Sequence, residues 1–337
     1  MTQRHAFQPA WWLRNAHLQT LYPALLRREK TSLPLRRERL NTPDGDFIDL
    51  DWCGAGNKPL TILLHGLTGS SRSGYVTGLQ KTLLDRGWRS VALNFRGCSG
   101  EPNRLARGYH SGDTGDIDFV YRTLRQREPN AKLAAVGFSL GGNVLLKWLG
   151  ERGVKLKLSA AVAVCVPLQL DICATTMDKG FSKVYRDRLI RELKHYIRDK
   201  HRYLLNAGNT QEADKIARLG NLSKIRSFWE YDDQVVAALH DFDSATHYYR
   251  QSSSRQYLKK IAVPTLLIQA LDDPFMTPEV LPKKHELSAH VRLETTAGGG
   301  HVGFISGRVP FKPHYWLERR IPEFLQRYLN NSPSAGL

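Results

Sequence analysis

The stretch "VGFSLGGNVLLKWLGE" (residues 136–151) passes from a short apolar run into a helical pattern, with Ser139 at the junction. The preceding "KLAAVGF" (132–138) is continuous and apolar, as in a strand covered on both faces. In "LGGNVLLKWLGERG" (140–153) apolar residues recur at three- and four-residue intervals, as in a helix. A serine hydroxyl is a weak nucleophile and must be held where a base can take its proton and a carbonyl can approach. A tight strand-to-helix turn does this by forcing the serine into a strained conformation at the tip. Gly137 and Gly141, two residues to either side, remove side chains that would collide as strand and helix pass. The helix also points its first amides at the site, so the Leu140 N–H is a candidate oxyanion donor.

A nucleophile in this position demands an acid, a base and a second oxyanion donor elsewhere in the chain. "LLHGLTG" (63–69) ends an apolar strand in a glycine-bearing loop whose Leu67 N–H can be that donor. His65 in the same loop is read as structural, because it precedes the serine in a chain order that runs Ser, Asp, His. "TLLIQALDDPFMTPE" (265–279) leaves a strand with two adjacent carboxylates. Neighbouring side chains point in different directions, so one of them faces the base; Asp273 is chosen, with Asp272 the alternative. "TTAGGGHVGF" (295–304) then brings His301 out of a glycine run that permits a loop over the serine.

Around these motifs, strand-like and helical segments alternate. "DFIDLDW" (46–52), "PLTILLHG" (59–66), "WRSVALNFRG" (88–97), "LSAAVAVCV" (158–166), "PTLLIQAL" (264–271) and "VRLETTA" (291–297) read as further strands. "SGYVTGLQKTLLDRG" (73–87) and "DIDFVYRTLRQRE" (116–128) read as helices. Such alternation predicts an α/β architecture, a mostly parallel sheet with helices on both faces. The rhythm breaks between about 168 and 250, where the chain is helical, polar and basic. That block is expected to cap the carboxyl edge of the sheet, where ligands bind in open α/β folds. The expected organisation is an N-terminal extension (1–45), a core in two parts (46–167 and 256–330), a helical cap insertion (168–255) and a frayed tail (331–337).

A chain of 337 residues exceeds the roughly 250–300 at which a single core stops growing, consistent with one large domain carrying an insertion. The opening residues lack an apolar signal region, and no long uncharged apolar run occurs, so a cytoplasmic protein is expected. The four cysteines, Cys53, Cys98, Cys165 and Cys173, lack CxxC spacing, which argues against a zinc site or a disulfide scaffold. Gly298, Gly300 and Gly303 satisfy GxGxxG formally but are not followed by a βαβ unit, and "GLTGSSRSG" lacks the ending of a phosphate-binding loop. His110, Asp113, Asp116 and Asp118 could be written down as metal ligands, but a polar loop entering a helix explains them equally. No cofactor or metal is expected.

The formal charge of +17 asks for an anionic partner. Arg4, Arg14, Arg27, Arg28, Lys30, Arg36, Arg37 and Arg39 stand against only Glu29 and Glu38, and "FSKVYRDRLIRELKHYIRDKHRYLL" (181–205) adds a second cluster. Neither matches a nucleic-acid module. Basic and apolar residues interleave as on a solvated helix face, with attraction to an anionic lipid surface the alternative.

Taken together, "HGLTGSS", "NFRGCSGEPNR", "YHSGDTGD", "GFSLGGN", "DDPFM" and "GGHVGF", with "NAHLQT" near the start and "KGFSKVY" in the cap region, resemble the α/β-hydrolase group of YheT-type bacterial hydrolases and their eukaryotic ABHD relatives. The resemblance spans nearly the whole chain and implies an α/β-hydrolase fold with Ser139, Asp273 and His301 as a catalytic triad. It implies ester or lipid substrates, with an acyltransferase or a lipid-surface-binding protein of weak hydrolytic activity as the alternatives. Nothing in the sequence sets the oligomeric state.

Overall fold

The strands begin one segment earlier than the apolar pattern indicates. A computed structural model describes residues 6–27 and 33–330. Arg4, Arg28, Lys30, Glu29 and the expected tail (331–337) lie outside the described residues. The strands are β1 (Arg36–Asn41), β2 (Phe47–Cys53), β3 (Leu60–Leu64), β4 (Arg89–Asn94), β5 (Leu133–Phe138), β6 (Ala160–Val164), β7 (Thr265–Ala270) and β8 (Val291–Thr296). They form one eight-stranded sheet in the order β1-β2-β4-β3-β5-β6-β7-β8. The β1–β2 and β2–β4 pairs are antiparallel and the rest parallel.

β1 carries no apolar signal because its partners are carboxylates. The Arg37 guanidinium donates to both oxygens of Asp51, at 2.9 and 2.7 Å, and Arg39 does the same to Asp49, at 2.8 Å each. Part of the N-terminal basic cluster is therefore an ion-paired sheet edge rather than a solvated helix face. Charge on an edge strand also discourages pairing with another chain.

The helices are α1 (Ala16–Leu26), α2 (Gly74–Asp85), α3 (Gly115–Arg127), α4 (Leu140–Arg152), α5 (Leu170–Met177), α6 (Ser182–Asn206), α7 (Thr210–Ala217), α8 (Phe228–Tyr231), α9 (Ala245–Ser252) and α10 (Trp316–Leu329). Alternate residues of the buried strands feed two cores. On one face, Leu60 and Ile62 of β3 and Leu133 and Ala135 of β5 pack with Ile117 and Val120 of α3 and Val144, Trp148 and Leu149 of α4. On the other, Leu63, Ala134, Val136 and Phe138 pack with Leu79 and Leu83 of α2 and Ile321, Phe324 and Leu325 of α10. This two-sided burial explains why these strands read as uninterrupted apolar runs.

Between β6 and β7 the chain forms α5 to α9 and a π-helical turn, Asp232–Ala237. These helices have a core of their own, in which Ile190, Leu193, Ile197 and Leu204 of α6 meet Ala213 and Ile216 of α7 and Tyr248 and Tyr249 of α9. Among the described residues, no helix is long and apolar enough to cross a membrane.

Candidate active site

The central strand β5 ends at Phe138 and α4 begins at Leu140, so Ser139 is the whole connection. Its backbone is at φ 52°, ψ −120°, a region that L-residues with a side chain rarely occupy and that costs about 1–3 kcal/mol. The turn is held by the Ser139 N–H donating to the Val164 carbonyl at 2.8 Å and by the Ser139 carbonyl accepting from Asn143 N–H at 3.0 Å. The flanking glycines are required by contact. A Cβ on Gly137 would lie 2.4 Å from the Gly141 carbonyl oxygen, and one on Gly141 2.4 Å from the His65 carbonyl oxygen.

His301 reaches this serine from the loop after β8. Its Nε2 lies 2.8 Å from Ser139 Oγ and its Nδ1 2.8 Å from Asp273 Oδ2. A carboxylate only accepts, so Nδ1 carries the proton and Nε2 is left to accept from the serine hydroxyl. The two acidic candidates separate cleanly. Asp273 faces His301 and takes the Phe275 N–H on its other oxygen at 2.9 Å, whereas Asp272 accepts the Gly300 N–H at 2.9 Å and braces the loop. Gly299 and Gly300 stand at φ 142° and 59°, which lets the chain double back under the imidazole.

Three positioning contacts involve residues to which the sequence reading gave no role. The Phe275 ring stacks on the His301 ring with centroids 4.0 Å apart and planes 12° from parallel. The Thr20 hydroxyl of α1 accepts the His301 N–H at 2.9 Å and donates to the Ala16 carbonyl at 2.8 Å. Gln19, fully buried, bonds both the N–H and the carbonyl of Ile305, at 2.7 and 3.0 Å, and so ties the N-terminal segment to the same loop. Gln19 and Thr20 stand in "NAHLQT", which has no periodicity that would place it beside residue 301.

The β3–β5 register puts Leu64 opposite Gly137, so the loop after β3 passes beside Ser139. Leu67 and Leu140 both border the cavity that contains Ser139. His65 is buried beneath this loop, its Nδ1–H donating to the Gly66 carbonyl at 2.7 Å while its Nε2 accepts the Phe95 N–H at 3.1 Å. Burial lowers its pKa to about 4, so the ring is neutral and serves as a strut. Tyr75 and Tyr109 complete the support, their hydroxyls accepting the Gly66 and Thr68 N–H groups at 2.8 and 2.9 Å.

Among the described residues, Cys165, Asp273 and His301 alone offer ligand atoms close enough together, within 4.8 Å, to share a metal ion. Asp273 and His301 are bonded to each other, and burial pushes the Cys165 thiol well above its usual pKa, so it stays protonated and accepts the Val302 N–H at 3.3 Å. Asp116 and Asp118, in the first turn of α3, are likewise committed elsewhere. Asp116 binds Arg96 through both oxygens, at 2.9 and 2.7 Å, and Asp118 accepts from the Trp148 indole at 3.0 Å.

Ser139 and His301 lie at the junction of two cavities. One, of about 520 Å³, runs under the helices between β6 and β7 and is walled by Leu170, Leu193, Ile197, Val235 and Leu239. The other, of about 610 Å³, opens between α1, α2 and the start of α6 and includes Arg72, Arg188 and Glu318. The Ser139 hydroxyl thus has a chamber on either side.

The profile of the alpha/beta hydrolase fold family matches residues 59–308. The chain is 43% identical over 335 residues to "Putative esterase YheT" of Escherichia coli (strain K12), covering 96% of this chain and 94% of that protein. It is 28% identical to "Phospholipase ABHD3" of Bos taurus, over 96% of this chain and 79% of that one. Among solved structures, the Pyrococcus furiosus esterase Pf2001 superimposes with a TM-score of 0.57 at 18% identity, covering 90% of this chain and 96% of that chain. The chain belongs to the α/β-hydrolase fold family and, within it, to the YheT-like group of hydrolases acting on esters.

Proposed function

We propose that this protein cleaves carboxylic esters through an acyl-enzyme on Ser139. His301 takes the Ser139 proton as Oγ attacks the ester carbonyl, and Asp273 holds the imidazole in the required tautomer and balances its charge. The Leu67 and Leu140 amides hold the oxyanion. The imidazolium then protonates the departing alcohol; water, deprotonated by the same ring, attacks the acyl group and returns Ser139 to its hydroxyl form. The observation that carries this reading is the unbroken chain from Asp273 Oδ2 through His301 to Ser139 Oγ, with both links 2.8 Å, on a residue held at positive φ. The segment 168–255 acts as a cap whose apolar cavity receives the acyl chain, and the second chamber receives the alcohol. No step requires a metal or an organic cofactor.

The test is covalent labelling by a fluorophosphonate probe together with hydrolysis of 4-nitrophenyl acetate. Wild type is expected to label and turn over, and Ser139→Ala to do neither, with a loss on the order of 10⁶ in rate. Turnover undiminished in Ser139→Ala would overturn the proposal.

A second element of this reading concerns lipid. Leu18, Leu25, Leu26, Phe181 and Val184 are exposed large apolar residues on α1 and at the start of α6. These two helices meet where His17 Nδ1 lies 3.1 Å from the Tyr185 hydroxyl, and both wall the second cavity. An apolar rim in a protein of charge +17 suits contact with an anionic membrane surface, from which an ester could enter that chamber.

A further inference from the structure

Ester cleavage uses only the end of the cap cavity that holds Ser139 and His301. Elsewhere its lining carries two histidines, His110 from the loop before α3 and His240 from just beyond the π-helical turn, for which the chemistry above has no use. Their ring centroids are 4.6 Å apart with planes 66° to one another. Phe242 and Tyr248 present edges or faces to His110 at 5.4 Å each, so the pair sits in an aromatic wall.

The hydrogen bonding of the two rings is incomplete. His110 Nδ1 accepts the Gly112 N–H at 3.1 Å, which leaves Nε2 as the protonated nitrogen, a donor that no acceptor meets among the described residues. Among the described residues, no hydrogen bond reaches either nitrogen of His240. Polar atoms in an apolar wall cost stability unless a partner meets them, and phenylalanine would fill the same space without that cost. The protonation of the rings selects the partner. Burial keeps both rings uncharged, and the nearby cations are themselves paired, Arg96 with Asp44, Asp46 and Asp116, Arg107 with Asp44, and Lys147 with Glu151. An unmet N–H on a neutral ring is matched by an electron-rich oxygen that accepts it.

We infer that His110 and His240 form a subsite for an oxygen atom on the substrate's acyl chain, a ketone or carboxylate oxygen remote from the scissile ester. This rests on the ester-hydrolase reading above and deepens it: the substrates are oxygenated acyl esters rather than plain alkanoates.

The experiment compares kcat/KM for 4-nitrophenyl alkanoates with their keto analogues and with the hemiesters of dicarboxylic acids from adipate to sebacate. At the chain length that spans the cavity, at least one oxygenated series is expected to exceed its plain counterpart by roughly five- to tenfold. A gain that shrinks with added salt assigns the carboxylate, and one independent of salt assigns the ketone. His240→Phe is expected to bring the ratio to one, and His240→Gln, which restores a donor, to recover part of it. A wild-type ratio of one or less at every length, or a preference unchanged in both His240→Phe and His110→Phe, overturns the subsite. Wild-type labelling and turnover of 4-nitrophenyl acetate report on the hydrolase reading separately: with these intact and the ratio flat, only the subsite falls.

Discussion

Two adjacent carboxylates with different partners make Asp272 and Asp273 a direct test of roles. Asp273→Asn keeps the shape but turns an acceptor-only group into one that can donate, so His301 is driven to the wrong tautomer, and kcat is expected to fall by about 10⁴. Asp272→Asn still offers an oxygen to the Gly300 N–H and is expected to stay within about tenfold of wild type. Equal losses in the two variants would refute the division. His65 illustrates why chain order was informative, since it looks like a base in sequence yet spends one nitrogen on the Gly66 carbonyl of its own loop and the other on the Phe95 N–H just after β4. Its folded pKa of about 4 lies below the usual 6.5, so between these values the unfolded chain binds more protons than the folded one. Stability attributable to this neutral ring is therefore present above pH 6.5 and lost as pH falls towards 4, at up to about 1.4 kcal/mol per pH unit. Urea titrations at pH 7 and pH 5 are expected to give a smaller difference in His65→Gln than in wild type.

At the scale of elements, the turn between β5 and α4 was legible because several local requirements coincide there: an apolar run, a serine, two glycines and an amphipathic helix. Close approach makes those glycines irreplaceable. Gly137→Ala and Gly141→Ala place a methyl group 2.4 Å from backbone oxygen and are expected to lower the melting temperature sharply or abolish soluble expression. Gly115→Ala, at the start of α3, meets nothing nearer than 3.5 Å and is expected to be tolerated. Strand β1 was illegible for the opposite reason. Its sequence "RRERLN" shows charge without apolar alternation, because β2 supplies carboxylates where most sheets supply a hydrocarbon face. The helix α6 was legible as a helix, yet its cation at Lys200 is wholly buried, donating to the Arg107 carbonyl at 2.9 Å. Nothing in a run of basic residues tells which one turns inward.

At the scale of the whole molecule, the exposed residues of α1 and α6 and the net charge belong to one surface argument. Pelleting with anionic liposomes is expected at low salt and to weaken as salt rises, while Leu25→Ser with Leu26→Ser is expected to reduce it without changing turnover of 4-nitrophenyl acetate. No pelleting would remove the lipid contact, and salt-independent pelleting its electrostatic part; either outcome leaves the hydrolase chemistry untouched. Substrate choice also belongs to this scale, since the cavity proposed to take the acyl chain is assembled from α5, α6, α9 and the π-helical turn together with the loops after β3 and before α3.

By itself the sequence determined the strand and helix alternation and the tight strand-to-helix turn at residue 139, and it nominated Ser139, Asp273 and His301, because each rests on short-range periodicity or on residue types that few other roles require. Only the tertiary structure decided that Asp273 rather than Asp272 faces the imidazole, that Thr20, some 280 residues earlier, holds the His301 backbone, and that two histidines share a wall of the cavity. Those relations join distant segments whose side chains meet only when the sheet has closed, and local pattern carries no information about such meetings.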